Sequence, residues 1–389
     1  MPIDVARVRA DTPGCAEVVH LNNAGAALQP RPVYDAVTRH LELEYRIGSR
    51  EAERVQAERL AGTYASLARL IGAEPAEIAL SDSSTGAWDQ AFYAVPLGEG
   101  DRILTTTSEY ESNAIAMIQV ATGCGAEIVV VPDDDHGQIS LDALDELLDE
   151  RVKIVAINHV PTHNGLVNPA AEVGRRARAA GALFLLDATQ SVGQIELDVR
   201  AMSVHMLAAT GRKYLRGPRG IGFLYVAPEA LDRLRPAMLN DWSASWTGPA
   251  SYEIAPGARR FESFERSPAS VLGLGAAAEY ALELGVADIR ERVARLAETL
   301  RTRLAEVPGV TVHDRGAERS GLVTFTKKGH DVAALVARLG ERKINTTASV
   351  QEFRYDLTRG EPAVVRASVH YYNTEEELDV LLGFLSELR

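Results

Sequence analysis

Residues 183–226 read LFLLDATQSVGQIELDVRAMSVHMLAATGRKYLRGPRGIGFLYV, and this stretch decides the fold. Four apolar residues, Leu183 to Leu186, run straight into Asp187. A continuous apolar run marks a strand covered on both faces, as in a parallel sheet flanked by helices. A second run, His205 to Ala209, ends in Thr210-Gly211-Arg212-Lys213. A Gly-rich turn leads into a third strand, Gly222 to Val226. Open α/β sheets bind ligands at the carboxyl ends of their strands. Here one end offers a carboxylate and the next a primary amine. Pyridoxal phosphate (PLP) needs both groups. An amine carries its aldehyde, and a carboxylate keeps its pyridine nitrogen protonated so that the ring withdraws electrons.

Working outward, the composition is that of a large globular chain, with 389 residues of which 46% are hydrophobic. That length corresponds to two or three domains' worth of chain. A net charge of −13 argues against nucleic acid or an anionic membrane as partner. No apolar run approaches the ~18 residues of a membrane span, and MPIDVARVRADTPG has no signal-peptide core. Cys15 and Cys124 are the only cysteines, and they form neither a CxxC nor a metal-spaced set. A reducing, cytoplasmic setting without a disulfide framework or metal site is expected.

Upstream, Asn22-Asn23-Ala24-Gly25 reads as a turn. A helix is expected over 30–47 and a second over 51–71, separated by Tyr45-Arg46-Ile47-Gly48-Ser49-Arg50. Ser81-Asp82-Ser83-Ser84-Thr85-Gly86 follows a short strand and opens an apolar helix over 87–95. Hydroxyls there are helix caps, and the free N–H groups of a helix start also hold anions such as phosphate. Strands over 101–106 and 152–158 alternate with a helix capped by Ser140. A long helix is expected over 271–306, and the remainder from 310 reads βαββα.

The run Asp187-Ala188-Thr189-Gln190-Ser191, then Thr210-Gly211-Arg212-Lys213-Tyr214-Leu215-Arg216-Gly217-Pro218-Arg219-Gly220, resembles class V of the fold-type I PLP enzymes. That family includes cysteine desulfurases, selenocysteine lyases, isopenicillin N epimerase-like proteins and related C–S lyases. The resemblance implies an α/β fold: a large domain with a mainly parallel seven-stranded sheet, and a small α+β C-terminal domain. The expected division is an N-terminal arm (1–20) packing with the small domain, the large PLP-binding domain (21–265) and the small domain (266–389). It also implies a homodimer acting on a small amino-acid substrate.

Residue by residue, the resemblance assigns Lys213 as the amine that carries the cofactor and then removes the substrate's α-proton. Asp187 pairs with the ring nitrogen and Gln190 reaches the ring oxygen. Ser84, Thr85, Thr210 and Arg212 hold the phosphate, Arg212 standing where desulfurases have His. Tyr110 replaces the stacking His, and a flat π-face suffices for stacking; it is also a candidate catalytic group. Thr162, in His159-Val160-Pro161-Thr162-His163-Asn164, stands where desulfurases place an Asn touching cofactor and substrate. Arg366, in Arg366-Ala367-Ser368 … Tyr372-Asn373-Thr374, binds the substrate α-carboxylate, for which a guanidinium fork is suited. Asn23, Asn164 and Arg46 are further candidates for the substrate. Desulfurases carry Gly-Thr at the positions of Phe264 and Glu265 and use it on the partner's phosphate; Arg266 or Ser267 would have to replace that contact.

A desulfurase also needs a mobile thiol in the small-domain loop. The corresponding stretch, Asn345 to Arg354, has no cysteine. The expected reaction is therefore β-elimination from a cysteine S-conjugate or sulfoxide, releasing pyruvate and ammonia. The segments around Lys213 and Arg259-Arg260-Phe261-Glu262 resemble the bacterial lyases that cleave hercynylcysteine sulfoxide in ergothioneine formation. A quaternary ammonium on such a substrate would call for aromatic faces, for which Trp88, Trp242, Trp246 and Phe264 are available. Epimerisation, transamination and a PLP-fold protein without catalysis are the alternatives.

Overall fold

The computed structural model describes residues 2–349 and 363–388. Strand β1 (Val19–His20) belongs to the N-terminal arm. The strands β2 (Ile78–Ser81), β3 (Arg102–Thr106), β4 (Glu127–Val131), β5 (Val152–Asn158), β6 (Leu183–Asp187), β7 (Met206–Thr210) and β8 (Gly222–Val226) form one seven-stranded sheet. Its order is β2-β8-β7-β6-β5-β3-β4. The five strands from β7 to β4 run parallel. β8 is antiparallel to both its neighbours, β7 and β2. All five residues of each of β6, β7 and β8 are buried, which is why these segments carry apolar side chains in both directions.

The chain passes from β3 outward to β4 and then returns to the other side of β3 with β5. Such a reversal opens a crevice at the carboxyl ends of the strands. Asn158 and Asp187 lie side by side there, paired in register as the last residues of β5 and β6.

After an exposed hairpin, β9 (Ala244–Gly248) and β10 (Ser251–Ile254), the chain builds a second sheet. It contains β11 (Val310–Val312), β12 (Leu322–Lys327), β14 (Thr347–Ser349) and β15 (Val364–Ser368), in the order β11-β12-β15-β14. β13 (Ile344–Asn345) pairs instead with β1, joining the N-terminal arm to the C-terminal part. Arg9 of the arm reinforces this, with an ion pair to Glu377 at 2.7 Å.

Three helices depart from expectation. The helix expected over 51–71 is two, Ser49–Val55 and Ala57–Ile71. The helix expected over 87–95 begins earlier, at Ser84, because the Ser83 hydroxyl accepts the Gly86 N–H at 2.9 Å and so caps it. The long helix expected over 271–306 breaks at Gly285, where φ is +82°. Its halves, Pro268–Leu284 and Val286–Glu306, are bent by 80°. Glycine tolerates that φ without a Cβ penalty. No single helix among the described residues is long and apolar enough to cross a membrane.

Candidate active site

A cleft of about 630 Å³ opens at the carboxyl ends of β3, β5, β6 and β7. Ser84, Thr85, Tyr110, Thr162, Asp187, Gln190, Thr210, Arg212 and Lys213 all line it. Nine residues spread over 130 positions of sequence are thus brought to one wall by the strand ends.

Glycines set the close approaches that make this possible. A Cβ on Gly222 would sit 2.5 Å from the Ala209 carbonyl oxygen and 2.9 Å from the Ser83 carbonyl carbon. The absent side chain lets the loop before Ser84 rest directly on the start of β8. Gly193, at φ +90°, would place a Cβ 2.4 Å from the Tyr214 carbonyl oxygen. Its turn therefore rests directly on the backbone that follows Lys213. Ser84 and Thr85, the first two residues of the helix Ser84–Phe92, line the cleft, and a helix start there suits an anion.

Asp187 is held from two sides. The Thr189 N–H donates to its Oδ1 at 2.9 Å, and the Asn113 amide donates to Oδ2 at 3.1 Å. Lys213 faces two guanidinium groups. Burial, then Arg366 and Arg212, pushes its amine down to about 7, against the opposing pull of Asp187. A lysine so placed is substantially a free base near neutrality. Arg366 is itself only 8% exposed, and burial lowers it to about 10. Its guanidinium donates to the Thr162 hydroxyl and, at 3.2 Å, to the Thr162 carbonyl. The Gln190 amide donates to the Ala24 carbonyl at 3.1 Å.

Several buried polar atoms have no protein partner: Gln190 Oε1 and Thr189 Oγ1 in this wall, and Nε of Arg366, which is bonded to the wall through Thr162. Unmet buried polar groups are costly unless a ligand completes them. An acceptor, a hydroxyl and a cationic donor left open beside an amine, a carboxylate and a helix N-terminus match the polar groups of PLP and of an amino-acid carboxylate.

Three expected substrate residues do not line the cleft of their own chain. Asn23 is fully buried and its amide is spent inside the fold, donating to the Ser368 carbonyl at 2.7 Å while its oxygen accepts from Tyr372. It fixes the arm against β15. Its neighbours face the site instead: Asn22 Oδ1 meets Arg366 at 3.5 Å and Ala24 meets Gln190. Asn164 is buried outside the cleft lining, its backbone carbonyl accepting from Arg315 at 2.9 Å. Arg46 is exposed near the end of the helix Arg31–Ile47, outside the cleft of its own chain. The two substitutes suggested for the cross-subunit contact are occupied locally. Arg266 pairs with Glu262 at 2.5 Å and stacks over Trp242, and Ser267 caps the helix that starts at Pro268.

Asn113, Asn158, Thr189 and Ser83 also line the cleft, and sequence reasoning assigned them no role. Asn158 carried the same signal as Asp187, a polar residue closing a buried strand.

The family profile of the class-V aminotransferases matches residues 19–381. The chain belongs to the class-V aminotransferase family. Its cofactor is therefore PLP. This class-V chain is similar to a cysteine desulfurase of Enterobacter sp. (strain 638), 30% identical and covering 100% of this chain and 99% of that one. A probable cysteine desulfurase of Pyrococcus abyssi is 29% identical, with 98% and 96% covered. Among solved structures, the apo cysteine desulfurase of Thermococcus onnurineus NA1 superimposes with a TM-score of 0.91 at 27% identity, covering 100% of this chain and 98% of that one. A cystine C–S lyase in complex with its product cysteine persulfide gives a TM-score of 0.86 at 25% identity, covering 97% and 99%. The chain is a PLP-dependent class-V enzyme related to desulfurases and C–S lyases.

Proposed function

We propose that this enzyme is a C–S lyase: it performs β-elimination on a cysteine S-conjugate or cysteine sulfoxide and releases pyruvate and ammonia. The observation that carries the proposal is the position of its thiols. Cys15 lies in the short turn of helix Pro13–Ala16, and Cys124 ends the helix Glu111–Cys124. Neither lines the cleft. Of the small-domain loop, residues 350–354 lie outside the described structure, and the sequence from 345 to 362 contains no cysteine. A reaction that parks sulfur on a protein thiol has no thiol here to use. The resemblance to a cystine C–S lyase supports the same reading.

When bound, PLP supplies an electron sink conjugated to the substrate's α-carbon. The chain's own groups do the rest. Ser84, Thr85, Thr210 and Arg212 would hold the phosphate, Asp187 the ring nitrogen and Gln190 the ring oxygen, and Tyr110 would offer its face to the ring. Arg366 takes the α-carboxylate and sets the Cα–H bond toward Lys213. Lys213 Nζ, its amine pushed down to about 7 by burial, would accept the α-proton. The Cβ–S bond then breaks with its electron pair leaving on sulfur. Water converts the remaining three-carbon unit to pyruvate and ammonia. A sulfoxide leaves as a sulfenate, which needs no protein thiol. Hercynylcysteine sulfoxide is the specific substrate we favour, on the sequence likeness around Lys213 and Arg259. Trp88 is not available for its quaternary ammonium, being buried and stacked on Phe92 at 4.6 Å. Trp242, Trp246 and Phe264 are exposed.

The proposal includes a homodimer, the three-part division at residues 20 and 265, and a reducing cytoplasmic setting for two free thiols. Trp246 and Tyr252 face each other across the β9–β10 hairpin at 83% and 61% exposure, and Tyr45 is 91% exposed. The paired hairpin aromatics, exposed together, fit a covered interface. Sedimentation of an active monomer would refute it.

The functional test incubates the holoenzyme with hercynylcysteine sulfoxide, other cysteine sulfoxides, S-conjugates and L-cysteine. Pyruvate and ammonia from the conjugates, with no enzyme-bound persulfide from cysteine, is the expected result. Persulfide formation from L-cysteine, or recovery of the intact amino acid with inverted Cα, would overturn it.

A further inference from the structure

Behind Asp187 lies a second buried acid that the proposed reaction does not use. Glu109 follows the end of β3 and is 2% exposed. Its Oε1 accepts three hydrogen bonds: from the Tyr110 N–H at 2.7 Å, from the Asn113 amide at 3.0 Å and from the Asn158 amide. Its Oε2 meets the Thr105 hydroxyl at 3.0 Å. The same Asn113 nitrogen that binds Glu109 also donates to Asp187 Oδ2. One amide thus joins two buried carboxyl groups.

This arrangement is unfavourable in isolation. The charged group acting on Glu109 is Asp187, another acid, and burial and then Asp187 push Glu109 up to about 7. A buried like-charge pair is expensive unless a cation compensates it. The open side of Asp187 faces the cleft, where the ring nitrogen of PLP belongs. A protonated ring there would supply the missing charge. Packing alone does not call for an acid. A glutamine would keep the Oε1 acceptor and turn its amide toward the Thr105 oxygen, which can accept.

We propose that Glu109 is a positioning residue for the cofactor's ring nitrogen: through Asn113 it orients the Asp187 carboxylate and places a second negative charge behind it, so that the ring stays protonated. This rests on the reading of Asp187 as the ring-nitrogen partner. The geometry also explains why Asn113 and Asn158 line the cleft. Both are anchored by the same oxygen of Glu109, on which the end of β5 and the start of the helix Glu111–Cys124 converge, and Asn113 carries the link on to Asp187 at the end of β6.

The experiment reconstitutes wild type, Glu109→Gln, Glu109→Ala and Asp187→Asn with PLP labelled with ¹⁵N in the ring. The ring-nitrogen chemical shift is followed against pH, with circular dichroism confirming the fold of each protein. Both Glu109 variants are expected to lose the ring proton about one pH unit lower than wild type, a tenfold loss in proton affinity. Asp187→Asn is expected to lose it throughout. Titration of both Glu109 variants at the wild-type pH, with Asp187→Asn altered, overturns the role of Glu109 and leaves Asp187 standing. An unaltered Asp187→Asn overturns the underlying site reading instead. Glu109→Ala carries the test if Glu109→Gln does not fold.

Discussion

Lys213 gives the most quantitative handle on the site, because its perturbation is measurable without turnover. In the cofactor-free protein its amine sits near 7, against an ordinary 10.5, chiefly because it is buried and then because Arg366 and Arg212 face it. Between those two values the unfolded chain binds a proton that the folded chain does not. Stability therefore rises with pH across the window. Below about pH 7 the folded state carries a buried cation among cations and the full penalty applies; above about 10.5 the penalty is gone. At 1.36 kcal/mol per pH unit, a displacement of this size is worth on the order of 5 kcal/mol. Lys213→Met keeps the aliphatic stem and removes the charge. At ~2.1 cal/mol/K of unfolding entropy per residue, relief of that order corresponds to roughly 6 °C in a chain of this length.

The assay compares thermal unfolding of the two cofactor-free proteins by circular dichroism from pH 6 to pH 10. The other titrating groups are common to both and cancel in the difference. Lys213→Met is expected to melt roughly 6 °C above wild type at pH 6, with the gap closing toward pH 10. A gap that stays constant with pH, or that widens as pH rises, would refute the assignment of Lys213 as a desolvated amine beside Arg366 and Arg212.

Three further outcomes follow from particular contacts. Arg366→Lys keeps a cation but loses the planar fork; KM for the amino-acid substrate should rise about 30- to 100-fold, a loss of roughly 2–3 kcal/mol, with PLP affinity nearly unchanged in an equilibrium titration. Gly222→Ala drives a Cβ into the Ala209 carbonyl and the backbone of Ser83; it should weaken PLP binding and lower stability by about 1–3 kcal/mol, read by fluorescence titration and by urea unfolding. Glu262→Ala leaves the Tyr64 hydroxyl, the Leu80 N–H and the Trp242 indole N–H without their shared acceptor; destabilisation of about 3 kcal/mol or more is expected in the same urea assay.

What was legible in the sequence, and what was not, divides along the backbone. Leu183–Asp187 and Met206–Thr210 announce themselves because a strand buried on both faces has only apolar residues until it reaches its functional end, so the polar residue that stops the run stands out. The cleft residues at strand ends and at the capped helix start are local in this sense, and the fold collects them. Gly285 fails the same test: a helix carries apolar residues on both sides of the bend, and only the left-handed φ at one glycine records the break. Asn23 departs from expectation for another reason. A motif position says which segment approaches the site but not which neighbour in it turns inward, and in the turn at 22–24 it is Asn22 and the Ala24 carbonyl that do so. Glu109 lies deeper still. Its position beside Tyr110 was visible, yet its significance rests on Asn113 reaching across to Asp187, 74 residues away. No local pattern encodes that distance. Residues that touch a ligand are thus written into strand ends, whereas a residue that orients them is found only once the sheet has set β3, β5 and β6 side by side.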